Sequence, residues 1–172
     1  MSIRSRIIQL QAEGRLTPYA PRTRQPARRR LYLAPAAVTD LTNPQSATNI
    51  LSGRGFIEAA LTRWTVGDRV FGEKRRGRFL CRLEEPPPEI WEIRVTEPVV
   101  QCRLLGRFAE PDTLILMKFY TRRVLGSKGS LQWSAGMMLC EEIWNELFPG
   151  TAPFSAGTIH EYVTENCDDF SI

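Results

Sequence analysis

An α+β domain is the fold class this sequence predicts: an antiparallel sheet of three to five strands, helices ahead of it, a helix after it and a basic arm at the N-terminus. Three observations carry that expectation. The runs EIWEIRV, VVQCRLLGRF and TLILMKFYT alternate apolar and polar residues and are separated by short turns, which makes consecutive strands antiparallel neighbours. Amphipathic segments flank them, GFIEAALTRW before and SLQWSAGMMLCEEIWNELFPG after, with apolar residues recurring every three or four positions. The first 30 residues are rich in Arg and Pro. A chain of 172 residues that is 42% apolar suffices for one ordinary core. The expected organisation is a basic arm over 1–30, an α+β domain over 31–150 and an acidic tail over 151–172.

Each element has a local reason. Ile3, Ile7, Ile8 and Leu10 stand near helical spacing, so a short helix is expected within residues 2–13. TPYAPRTRQPARRR reads as an extended linker, because Pro18, Pro21 and Pro26 interrupt any helix. RLYLAP, Arg30 to Pro35, reads as a strand closed by its proline. NPQSATNILSGRGF is polar, with Asn43-Pro44 a turn signal; its glycines lack the Lys-Ser/Thr ending and the preceding strand of a phosphate loop. The helix that follows places Phe56, Ile57, Ala60, Leu61 and Trp64 on one side. GEKRRGRFLCRLEEPPPEIW is the most cationic internal segment. Its Lys74, Arg75, Arg76, Arg78 and Arg82 form either a solvated basic loop or part of a nucleic-acid footprint.

Turns are expected at Thr96-Glu97-Pro98-Val99 and at Glu110-Pro111-Asp112-Thr113, where proline supplies its fixed φ. In the later helix Trp133, Met137, Cys140, Trp144 and Leu147 form the buried stripe, ended by Pro149-Gly150. A last short helix is expected after Thr158, with Glu161 completing a capping box.

The formal charge is +4, unevenly spread. Residues 1–30 hold eight arginines against Glu13 alone, whereas the chain from Gly129 onward has no Lys or Arg and seven acidic residues. Such asymmetry points to a polyanionic partner at one end or to the two ends docking on each other. Cys81, Cys102, Cys140 and Cys167 form no C-x-x-C pair, and His160 is the one histidine. No metal site and no cofactor are therefore expected, Cys102 and Cys140 read as small core residues, and a reducing, cytoplasmic setting follows. The Arg-rich start shares the composition of a transit peptide, but its prolines oppose the amphipathic helix such a peptide needs. No apolar run reaches the ~18–20 residues of a membrane span, and no membrane partner is expected.

Side chains of a strand alternate faces, so parity sorts the meander into two surfaces. Trp91, Ile93 and Val95 share a face with Val100, Cys102, Leu104 and Phe108, and with Ile115, Met117, Phe119 and Thr121. Glu92, Arg94, Gln101, Arg103, Arg107, Lys118, Tyr120 and Arg122 fall opposite, with Leu114 and Leu116 behind the last three. That second surface collects five cations against Glu92. It is either a solvated outer face or the floor of an anion site. RNA cleavage on such a floor needs a base, an acid and cations to stabilise charge at phosphorus. Without a histidine on the sheet, Lys118 or Tyr120 would take the proton roles, with pKa values depressed by neighbouring positive charge, and Arg103 and Arg122 the electrostatic ones.

IWEIRV, VVQCRLLGRFAE and LILMKFYTRR resemble the HigB-like, phage-derived branch of the RelE/ParE toxin superfamily. Its members commonly read W-E-[LI]-R-[IV], then Y-R-V-[LF]-[FY], then [IV]-[VL]-L-L-H-[GA]-F-x-K-K ahead of a C-terminal helix. The resemblance covers about residues 56–148 and is specific from Glu89 to Arg123. It implies one or two N-terminal helices packed on a twisted antiparallel sheet. It also implies a toxin of a type II toxin-antitoxin system: a metal-independent mRNA endoribonuclease acting on translated RNA, partnered by RNA, the ribosome and a cognate antitoxin. Position by position, Arg94 and Arg103 match the motif arginines, Lys118 falls at the His position, Tyr120 at the Phe position, and Arg122 and Arg123 at the Lys pair. Lys74, Arg75, Arg76 and Arg78 correspond loosely to a region of RNA-binding lysines. Gln101-Cys102 departs from the pattern, as do the extensions at both ends. The alternatives are a non-catalytic relative that inhibits a protein target such as gyrase, and a mobile-element accessory protein that binds RNA or DNA.

Overall fold

The computed structural model describes residues 1–42, 53–71, 79–96 and 101–168. The Asn43-Pro44 turn signal, most of the Thr96–Val99 turn, and Lys74, Arg75, Arg76 and Arg78 lie outside the described residues. In chain order the elements are α1 (Ile3–Ala12), β1 (Thr17–Pro18), β2 (Arg30–Leu33), α2 (Pro35–Thr42), α3 (Arg54–Thr65), β3 (Val70–Phe71) and β4 (Leu80–Leu83). There follow β5 (Ile90–Thr96), β6 (Gln101–Glu110), β7 (Thr113–Thr121), α4 (Arg122–Leu125), α5 (Leu131–Leu147), α6 (Ile159–Tyr162) and β8 (Cys167–Asp168).

The class is α+β, built on an open six-stranded sheet in the order β1-β2-β7-β6-β5-β4. The meander β5-β6-β7 is antiparallel as expected. The sheet as a whole is mixed and larger than expected, because β2 runs parallel to β7, Arg30 to Leu33 opposite Thr113 to Leu116. The chain can return to the parallel position because helices α2 and α3 carry it across the sheet between β2 and the meander. Pro35, expected as a stop after β2, opens α2 instead, the position where its missing N–H costs nothing. Leu80–Leu83, read as loop, forms edge strand β4 on β5.

Both faces of the sheet are covered. One core joins α2, α3 and α6 to the sheet through Ile57, Leu61, Trp64, Trp91, Phe108 and Tyr162, with Trp91 and Phe108 edge-on at 5.1 Å. The second joins α1 and α5 to the opposite face through Ile7, Leu10, Leu105, Met137, Cys140 and Trp144. The face expected as one exposed basic surface therefore lies largely under helices, and Glu92 and Arg107 are buried in it.

Parity fails on β7. Leu105 stands opposite Lys118 but Gly106 opposite Leu116, so Met117 is an extra residue in the strand. Leu114, Leu116 and Phe119 consequently pack with the first core, whereas Ile115 and Met117 join the second. Gly106 makes that irregularity possible, since a Cβ there would run into the Ile115 carbonyl. The turn after β6 forms as expected, with Asp112 in the left-handed region at φ 55°.

The expected arm and tail both pack. Ile7, Leu10 and Leu16 of the N-terminal segment are buried, and Ile159, Tyr162 and Val163 of the C-terminal segment enter the first core. The two ends meet: Arg29, 2% exposed, donates to the carbonyls of Asp68 and Glu165. Thr158 and Glu161 form the expected capping box. Phe56, assigned by periodicity to the buried stripe of α3, is instead 43% exposed.

Gly106→Ala is expected to lower unfolding free energy by about 3 kcal/mol in urea titration, because backbone rather than a flexible side chain occupies the space the methyl needs.

Candidate anion site

Three of the expected site residues converge. Arg94 on β5 and Arg103 on β6 stand directly opposite each other. Arg122 opens α4 immediately after β7, whose last residue, Thr121, lies opposite Cys102. With Arg82, Glu92, Lys128 and Trp133 among its walls, this group lines a cavity of about 520 Å³. Five cations line it against the two carboxylates Glu84 and Glu92.

Glu92 organises the cluster. It is fully buried, accepts from Arg94 Nε, and lies 3.3 Å from Arg103 Nε, an ion pair without hydrogen-bond geometry. Arg103 spends one N–H on the Cys102 carbonyl at 3.0 Å, and Arg122 spends one on Gly126. Arg122 also lies over the Trp133 ring, 5.6 Å from its centroid, a cation–π contact that fixes the guanidinium plane. Arg82 is held by Glu89 and the Ala156 carbonyl, and Lys128 by Glu85 at 3.0 Å. One buried carboxylate thus pairs with two guanidiniums and a third lines the same cavity, and most of their donors have no protein acceptor among the described residues.

The electrostatics agree. Burial lowers the Arg103 pKa from its ordinary value; Glu92 opposes that, and Arg94 and Arg122 add to it by like-charge repulsion. An oxyanion entering the cavity relieves this repulsion and offers acceptors to a planar donor fork, which is how arginines hold phosphate.

Four described residues expected at the site stand elsewhere. Lys118 is drawn to the sheet margin, where its Nζ donates to Asp40 at 2.6 Å, and the same carboxylate accepts from the Phe119 N–H at 3.0 Å. Asp40 thereby takes over the hydrogen bonding of β7 beyond the end of β2. Tyr120 faces Arg103 across the strands but lies against Gly136 of α5, and burial raises its phenol well above the usual range. A depressed pKa, which base catalysis would need, is the opposite of what its surroundings impose. Arg107, 3% exposed, donates to the Pro88 carbonyl at 3.1 Å and lines a separate depression of about 270 Å³ with Glu141 and Trp144. Arg123 is exposed on α4 and is not among the residues lining the cavity.

Glu92, Lys128 and Trp133 were not assigned to the site from sequence. Glu92 stood in view as the lone acid of a basic face. Trp133 belongs to the buried stripe of α5, and only the packing of α5 against α4 brings it under Arg122. Burial pushes the Cys102 thiol up to about 11 and that of Cys140 up to about 12. Among the described residues no group of three His, Cys, Asp or Glu side chains could hold a metal ion, and no helix is long and apolar enough to cross a membrane.

Comparison with family models, with curated proteins and with solved structures returns no match.

Glu92→Gln is expected to cost about 3 kcal/mol of stability, since it leaves Arg94 and Arg103 facing each other without their carboxylate. Sulfate should restore more of that loss than it adds to the parent chain, read as midpoint shifts in urea. For the thiols, a neutral form persists far above neutrality. Native Cys102 and Cys140 should therefore stay unlabelled by a disulfide reagent at pH 8 and react only after unfolding.

Proposed function

We propose that this protein binds RNA through its phosphate groups at the Arg94–Arg103–Arg122 cavity. The observation that carries the reading is the excess of positive charge there: Arg94 and Arg103 share one buried carboxylate, and Arg122 joins them in the cavity lining. Arginine clusters of this kind suit phosphate, whose several oxygens accept from more than one planar fork at once. The site stays cationic at any physiological pH, so its attraction for a polyanion depends on salt rather than on proton concentration.

Binding is favoured over cleavage because the side chains that would move protons are spent. Lys118 is paired with Asp40, Tyr120 is held neutral by burial, and Glu92 is enclosed by its arginines. A second reading, the metal-independent endoribonuclease toxin of the RelE/ParE type with a cognate antitoxin and the ribosome as partners, draws support from one feature. The chain runs strand, two helices, antiparallel meander, helix, and the arginines of its W-E-I-R and C-R-L segments meet in the cavity. In that reading the ribosome contributes the proton transfers that the isolated chain lacks.

Two experiments separate these readings. The first is anisotropy titration of a fluorescent single-stranded RNA between 50 and 200 mM salt, ranges in which phosphate contacts dominate. Arg94→Gln/Arg122→Gln should weaken binding and flatten the slope of log K against log salt by roughly 1 to 2. An unchanged slope sinks the phosphate reading. The second is tightly induced expression in a bacterium with mapping of RNA 5′ ends. Intact messages and normal growth are expected; growth arrest with new ends in translated messages, lost in the double variant, establishes the nuclease instead.

A further inference from the structure

Arg107 on β6 is a buried charge that the folded chain leaves short of partners. It is 3% exposed, yet among the described residues its guanidinium makes one hydrogen bond, to the Pro88 carbonyl at 3.1 Å. Its Nε has no acceptor, and among the described residues it takes part in no ion pair. A buried charge is ordinarily paired and fully hydrogen-bonded, because leaving water is costly. Arg29, as deeply buried, meets that rule with two carbonyls and with Asp112 at 3.8 Å. Arg107 instead forms part of the wall of the depression of about 270 Å³ beside α5. Glu141 of α5 lines the same depression, and its charge acts on Arg107 without an ion-pair contact between them. The far wall is fixed: Trp144 Nε1 donates to the Thr151 carbonyl at 2.7 Å, and the Thr151 and Phe154 N–H groups donate to the carbonyls of Phe148 and Phe108 at 3.0 and 2.8 Å. Those bonds hold the segment after α5 off Arg107, so the depression is not closed by its own wall.

We propose that this depression binds a small zwitterion, an α-amino acid whose carboxylate accepts from Arg107 and whose ammonium faces Glu141. Three points favour this occupant. Arg107 and Glu141 are the charged residues of the lining, so its formal charge sums to zero while its two poles stay apart. A plain anion would satisfy Arg107 but meet repulsion from Glu141, and a plain amine would leave Arg107 as it is. A planar guanidinium fork is the group best suited to a carboxylate. The volume lies just under the ~300–1,000 Å³ of pockets for drug-sized ligands, and Pro88, Ala152 and Pro153 offer an apolar wall to a small side chain. No residue lines both this depression and the Arg94–Arg103–Arg122 cavity, so the proposal stands or falls apart from the phosphate reading.

The test is calorimetric titration of the full chain with glycine, L-alanine and L-leucine, and with the two halves of alanine: propionate, which lacks the ammonium, and ethylamine, which lacks the carboxylate. Alanine should bind, and each half should bind at least about tenfold more weakly, since each forfeits a charge-assisted contact. Arg107→Met should abolish amino-acid binding while its melting midpoint holds or rises, because it removes a buried charge that has no ion pair to lose. Glu141→Gln, at a half-buried helix position, should weaken alanine about tenfold yet strengthen propionate, since the carboxylate that repels it is gone. If Arg107→Met does not fold, the opposite responses of alanine and propionate to Glu141→Gln decide the matter alone. Absence of binding by all three amino acids, or equal binding by the parent and Arg107→Met, overturns the site. Propionate binding as tightly as alanine, with both indifferent to Glu141→Gln, overturns the zwitterion in favour of a plain carboxylate. RNA binding should be the same in the parent and in both variants.

Discussion

A carboxylate with no exposure to water has to be met by charge, and Glu92 is met by two arginines whose strands place them opposite each other. Like charges directly across a strand pair repel. Glu92, two residues before Arg94 on the same strand, supplies the counter-charge that lets Arg94 and Arg103 coexist. The arrangement is reciprocal: the arginines give Glu92 its partners in a buried position, and Glu92 keeps the arginines from splaying out. Arg122 enters without a carboxylate of its own, tethered by Trp133 and the Gly126 carbonyl. The surplus charge of the cavity follows from that imbalance.

The same ledger explains why the many N-terminal arginines do not themselves make the site. Most are consumed in holding the ends of the chain to the domain. Arg6 donates to the Leu147 carbonyl at the end of α5, Arg15 pairs with Glu146, and Arg28 approaches Glu165. Arg30 pairs with Glu110 at 2.9 Å. Exposed pairs of this sort contribute little individually. Arg29 differs, because burial depresses its pKa and Asp112, Asp68 and Glu165 offset the cost. Of the two readings of the charge asymmetry, docking of the ends accounts for these contacts.

What the sequence revealed was what depends on neighbours along the chain. The stripe Trp133, Met137, Cys140, Trp144 and Leu147 is buried in α5 as its spacing requires, and the Pro111-Asp112 turn and the Thr158–Glu161 capping box formed where their residues stood. Features set by distant partners were hidden. A proline after an apolar run reads equally as the end of β2 and as the first residue of α2. Arg and Glu alternating with Ile read as an open strand face, solvated or anion-binding, because nothing local announces that α1 and α5 will cover much of it. The bulge at Met117 is one omission: it turns Leu114 to Met117 over relative to the parity count, while Lys118 to Thr121 keep the faces that the count gives them. Lys118 lies beyond the end of β2, where Asp40 holds it. The resemblance placed Lys118 at a catalytic position, and its pairing with Asp40, a partner distant in the sequence, keeps it out of the cavity where the arginines meet.

In the proposed reading, the repulsion that opposes closure of the cavity is also what would draw an anion into it. Collapse would bring Arg94, Arg103 and Arg122 closer and raise their mutual repulsion, while Glu92 can neutralise only part of it. The guanidiniums are anchored on β5, β6 and the start of α4, so they cannot relax by swinging into solvent without breaking the contacts with Glu92, the Cys102 carbonyl and Trp133. Donors held in place before the ligand arrives cost little to order on binding. An anion that brings two or more acceptor oxygens therefore gains from charge and geometry together. A monovalent ion gains mainly from charge, which salt screens. In the proposed reading, a preference for phosphate over a simple halide would follow from the spacing of the strands rather than from any one side chain.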